Sequence, residues 1–111
     1  MDTIPKKEDY DGSTPARVNI PAISTLAGAD KALNRVTKRQ LWIRERRITL
    51  RGVLRSSTED AERLAAFDEG TDLKSEKTSV EKQAKSLQAK KAEIASERVD
   101  EIDESIFDDL D

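Results

Sequence analysis

Nine cationic side chains fall between residues 31 and 55, against a single acid, Glu45. They are Lys31, Arg35, Lys38, Arg39, Arg44, Arg46, Arg47, Arg51 and Arg55. A guanidinium presents a planar fork of donors that matches carboxylates and phosphates. The chemistry in prospect is therefore recognition of an anionic surface, either an acidic protein groove or the phosphates of a nucleic acid. On a helix turning about 100° per residue, Lys31, Arg35, Lys38, Arg39 and Arg46 form one row, and Arg44, Arg47, Arg51 and Arg55 form another. Between the rows runs an apolar seam of Val36, Ile43, Leu50 and Leu54. An apolar stripe flanked by cations suits docking on an acidic partner first. A solvated face balanced by the chain's own acids comes next, and phosphate binding third. Trp42, the one tryptophan, is expected as a packing anchor, and at an interface it would be a hot spot.

The opposite charge gathers at the other end. Residues 100–111 hold seven acids and no base, with Ile102, Ile106, Phe107 and Leu110 interspersed. Carboxylates at a helix C-terminus oppose its dipole, so this tail should fray when free. Acidic stretches with spaced apolar anchors serve as short docking segments on basic grooves. The alternatives are a solvating tail or one that folds back over residues 31–55 and masks them. Segment by segment, residues 1–30 carry a net −2, residues 31–55 a net +8 and residues 56–111 a net −9.

The residue types exclude much else. The chain has no His and no Cys, so the commonest acid–base and nucleophilic groups are missing. Thiolate and imidazole metal sites are ruled out in the same way. Carboxylates are abundant, but paired catalytic acids need a pocket that separates their pKa values. A phosphate-binding glycine loop is absent. No catalytic residue, cofactor or dedicated metal site is expected; the acids after Asp100 would attract Mg²⁺ or Ca²⁺ only loosely.

Helices must position these features. All three prolines, Pro5, Pro15 and Pro21, precede residue 22, and residues 1–23 read as an extended arm without a core of its own. Its apolar side chains, Ile4, Tyr10, Val18, Ile20 and Ile23, are too few to repay the ordering of its backbone, so the arm is expected either to be held by a neighbour or to fray as a free terminus. Residues 24–55 read as a basic amphipathic helix capped by Ser24 or Thr25. Leu41 and Ile48 lie off its seam, so either the helix is covered on two sides or it does not run straight through. The run Ile48–Leu54 has some strand character, but the longer seam favours helix. Ser56 and Glu59 have capping-box spacing. They predict a short helix and turn over residues 56–70, ended by Gly70. A long thin helix is expected over residues 71–99, with Leu73, Val80, Leu87 and Ile94 seven residues apart. The usual second apolar position holds Glu76, Gln83, Lys90 and Glu97, which leaves half a coiled-coil seam. Such a seam supports at most weak self-association.

The expected fold is all-α and elongated, with two or three helices after the arm. Charged residues make up 39% of the 111 residues and the hydrophobic set 35%, too little apolar surface for a broad core. No apolar run approaches the ~20 residues of a membrane span, and residues 1–11 lack the pattern of a signal peptide. The expected setting is the cytoplasm or a particle assembled there, with no membrane partner. These features predict a non-enzymatic structural or assembly protein docking on a larger complex, of the kind found among virion and phage-particle components. The partner-binding residues would be Val36, Trp42, Ile43, Leu50, Arg44, Arg47, Arg51, Ile102, Ile106, Phe107 and Leu110. The alternative is a nucleic-acid-binding regulator using residues 31–55, with the acidic tail as autoinhibitor.

Overall fold

Thr25 starts the first helix: its hydroxyl accepts the Gly28 amide at 3.0 Å, satisfying one of the donors a helix start leaves unpaired. In the computed structural model, which describes residues 10–109, this helix, α1, runs Leu26–Ser56 without a break. The stretch with strand character is therefore helical. A second helix, α2, runs Asp60–Asp100. Short 3₁₀ turns lie before α1, Ile20–Ala22, and after α2, Glu104–Phe107. The two helices lie side by side as an antiparallel hairpin, elongated to 76 × 39 × 26 Å. No helix is long and apolar enough to cross a membrane among the described residues.

Between the helices the capping box expected of Ser56 and Glu59 does not form: Glu59 is itself the N-cap of α2, without a side-chain cap, and Ser57 braces the turn. Its hydroxyl accepts the Glu59 amide at 3.2 Å and donates to Glu62 at 3.0 Å. Ser56 remains inside α1, with its hydroxyl on the Gly52 carbonyl. The predicted end at Gly70 is not found, and the two helices expected over residues 56–70 and 71–99 are one. A glycine inside a helix costs about 1 kcal/mol. Ala66 is buried one heptad before Leu73, followed by Val80, Leu87 and Ile94, so the buried face continues straight across Gly70. Packing along that face outweighs one unfavourable residue.

The core is a single line. Val36, Ile43 and Leu50 from α1 meet Ala66, Leu73, Val80 and Leu87 from α2. The buried side chains recur every seven residues along α2 and from Val36 to Leu50 on α1, where Ala32 adds one more step at a spacing of four. Ile43 is almost fully buried, so Ile43→Val, which deletes one methylene, should lower stability by about 1 kcal/mol in chemical denaturation. Gly52 is also helical and has open space where a Cβ would stand. Gly52→Ala should therefore raise the denaturation midpoint, worth about 0.5–1 kcal/mol.

The arm finds a packing surface on its own chain. From residue 10 onward it lies along the hairpin, with Ala16, Val18, Ile20 and Ile23 packed against the core line. The apolar residues counted as too few gain burial by sharing the helices' core. Ile4 lies outside the described residues.

Candidate functional site: a cation-rimmed groove between the helices

The two rows of cations have opposite fates. The row of Lys31, Arg35, Lys38, Arg39 and Arg46 turns largely toward the arm and α2. Arg39 is the centre of it. Its Nε and Nη2 donate to the two carboxylate oxygens of Glu76 at 2.6 and 2.7 Å, and its Nη1 donates to the Gly12 carbonyl at 2.9 Å. Its guanidinium also sits 4.6 Å from the centroid of the Trp42 ring, within cation–π range. One side chain thus ties arm, α1 and α2 together. Lys38 donates to the Tyr10 carbonyl at 3.1 Å, and Arg35 lies 4.7 Å over the Tyr10 ring. Arg46 forms a two-point pair with Glu69.

These pairs explain the missing half of the coiled-coil seam. Arg39 and Arg46 stand seven apart, as do Glu76 and Glu69, and they pair in antiparallel order. At these two heptads complementary charges fill the second seam position, while one heptad to either side α1 carries Ala32 and Val53 there. Asp30 and Lys91, at 2.6 Å, extend the same order toward the open end of the hairpin.

Hydrogen bonding to Arg39 holds the Glu76 carboxyl below its ordinary value of 4.5, against the opposing effect of burial. The Arg46 hydrogen bonds lower Glu69 in the same direction. A carboxyl with a depressed folded pKa contributes stability above its unfolded value. That contribution is lost as pH falls through the folded value. Acidification below about pH 4.5 should therefore weaken the hairpin, and the loss should be smaller in Glu76→Gln. Unfolding midpoints measured from pH 6 down to about pH 3 for both chains check this.

The second row points elsewhere. Arg44, Arg47 and Arg51 border an open groove of about 870 Å³ between α1 and α2. Its floor includes Leu41, Ile48, Leu54 and Phe67, above the buried Ile43 and Leu50. Lys74 and Lys77 continue the cationic rim on α2, and Glu81 is the one acid lining it. Leu41, Ile48 and Phe67 are 54%, 53% and 57% exposed. The helix runs unbroken, and α2 and the arm cover other faces of α1, so Leu41 and Ile48 stay in water.

The expected partner-binding residues divide accordingly. Arg44, Arg47 and Arg51 come together on the groove. Val36, Ile43 and Leu50 do not form a free surface, because their seam is consumed against α2. Trp42 is half-buried beneath Arg39 and is not part of the groove lining. Ile102, Ile106 and Phe107 lie well exposed beyond the end of α2, far from the groove along the helix. Leu110 lies outside the described residues. Sequence reasoning missed Arg39 as a buried residue and Phe67 as a groove residue. The matching seven-residue spacings of Arg39–Arg46 and Glu69–Glu76 were the signal for the first.

Among the described residues no group of three or more acids converges in a way that could hold a metal ion. No family model matches this chain, and no curated protein and no solved structure proved similar to it.

Proposed function

We propose that this chain is a non-enzymatic assembly protein that docks on a larger complex by taking an acidic, amphipathic helical segment into the groove between α1 and α2. The observation that carries this reading is the groove itself: an apolar floor with large side chains half in water, rimmed by Arg44, Arg47, Arg51, Lys74 and Lys77 against one acid. An apolar trough accepts the buried face of a helix, and the rim selects the charge of its flanks. The inward row, spent on Glu69, Glu76, Gly12 and Tyr10, builds the scaffold that holds the groove open. A setting in the cytoplasm or in an assembled particle, a virion or phage particle among them, fits the composition. That link is an analogy of composition alone.

The direct test is a fluorescence titration of the full chain with a designed acidic amphipathic peptide. Saturable binding is expected, weakened about tenfold or more by Arg44→Glu with Arg51→Glu. Absence of saturable binding at low salt counts against the proposal.

The runner-up is nucleic-acid binding by the outward row, supported by the alignment of Arg44, Arg47, Arg51 and Arg55 along one side of α1. It predicts duplex binding that falls steeply with salt and strengthens when residues 100–111 are removed. The apolar floor favours the first reading, since phosphates have no use for Leu41, Ile48 and Phe67.

A further inference from the structure

We infer that the segment seated in this groove is the acidic tail of a second copy of the same chain, so that two hairpins exchange tails in a closed dimer. The inference rests on the reading of the groove as a docking surface for an acidic amphipathic segment, and it names the occupant.

Complementarity is the first argument. The tail presents Val99, Ile102, Ile106 and Phe107, all more than half exposed, among Asp100, Glu101, Asp103, Glu104 and Asp108. The groove presents the converse, an apolar floor inside a cationic rim. Val99, Ile102 and Ile106 are spaced by three and four, so a continued helix would bring them to one face. As the chain stands, α2 stops at Asp100 and only the 3₁₀ turn Glu104–Phe107 follows. Carboxylates clustered at a helix C-terminus oppose its dipole and disfavour continuation beyond Asp100, with Arg98 the one base in the last turn. Cations from the groove rim would neutralise them and permit the helix to continue.

Reach decides between one copy and two. The groove touches α2 no nearer to the tail than Glu81, which stands about 28 Å from Asp100 at 1.5 Å per helical residue. Phe107 can stretch at most about 25 Å back from Asp100, and Ile102 and Ile106 less. With α2 intact, none of these described anchors reaches its own groove. A second molecule has no such limit. On α2 the groove centres near residue 74 and the tail near residue 104, so a two-fold axis near residue 89 would carry each onto the other. One operation engages both tails and closes the assembly. Groove-to-groove pairing would instead bring two cationic rims together.

The test is sedimentation of the full chain at tens to hundreds of micromolar with two charge-reversed variants. One carries Arg44→Glu and Arg51→Glu in the groove. The other carries Glu104→Lys and Asp108→Lys in the tail. All four side chains are exposed, so folding should persist, and circular dichroism checks it. The wild-type chain should sediment at about twice the 12.4 kDa of one copy. Each variant alone should dissociate at least about tenfold more readily. Mixed together they should re-form the dimer, because the unchanged acidic tail of the first variant meets the unchanged cationic groove of the second, while the substituted groove and tail positions face each other with their signs exchanged. A dimer indifferent to both reversals, or a mixture that stays monomeric, overturns the inference. A monomeric wild-type chain that still binds the designed acidic peptide overturns it too, yet leaves the docking reading standing. A monomer that binds no such peptide removes both.

Discussion

Arg39→Ala should cost about 2–4 kcal/mol of folding stability, the largest effect of any single surface-to-core charge in the chain. The substitution removes three hydrogen bonds at once and strands Glu76, whose side chain is 27% exposed against 5% for Arg39. Glu76 keeps some water, so the upper part of the range for a fully buried orphan does not apply. Arg46→Ala provides the contrast. Its pair with Glu69 is about two-fifths exposed on both sides, so solvent screens it and its loss should cost far less than that of Arg39. The double replacement Arg39→Leu with Glu76→Leu should recover most of the hairpin's stability, because an apolar pair restores the seam without leaving a charge behind. It should not recover the arm, since the Gly12 carbonyl still lacks its donor. Urea denaturation followed by helical circular dichroism reads the hairpin in all four chains.

The arm depends on one backbone conformation. Gly12 has φ of +90°, a region side chains avoid, and a Cβ there would stand 2.3 Å from the Lys38 carbonyl oxygen. That oxygen belongs to the backbone of α1 and cannot step aside. Gly12→Ala should therefore unseat residues 10–23 while α1 and α2 stay paired. The expected sign is amide exchange in that segment faster by about a hundredfold, equivalent to ~3 kcal/mol of local stability. Exchange along the core line, at Ile43 or Leu87, should change far less. Equal acceleration in arm and helices would mean that the arm is part of one cooperative unit, contrary to its attachment through a few contacts at Arg39, Lys38 and the apolar side chains.

Much of this architecture could be read from residue types. Proline placement separated the arm from the helices, and Leu73, Val80, Leu87 and Ile94 marked the buried face of α2 because nothing else in that stretch repeats at seven. Gly70 carries a local terminating propensity that the buried face overrides, and Ala66, too small to stand out in the sequence, is the step of that face on its far side. The arginines were harder. In a sequence, Arg39 and Arg47 are alike, both cations beside an apolar seam. Which one turns inward depends on the partner helix and its register, a long-range fact. Complementary heptads of arginine and glutamate carry that information only once the two helices are assumed to be antiparallel. The groove was half legible: its cations stood in one row, but the exposure of Leu41, Ile48 and Phe67 follows from where the arm and α2 leave a side of α1 uncovered. The tail's anchors were legible, and their separation from the groove follows from the unbroken length of α2.

On the proposed reading the cation-rimmed groove, and not the arm side of the hairpin, is the docking surface. Methyl NMR of the full chain titrated with the designed acidic peptide tests it most directly. Saturable shifts at Leu41, Ile48 and Leu54, with Val18 and Ile20 unmoved, are the predicted result. Shifts confined to Val18 and Ile20, or none that saturate at any methyl of the groove floor, would contradict it.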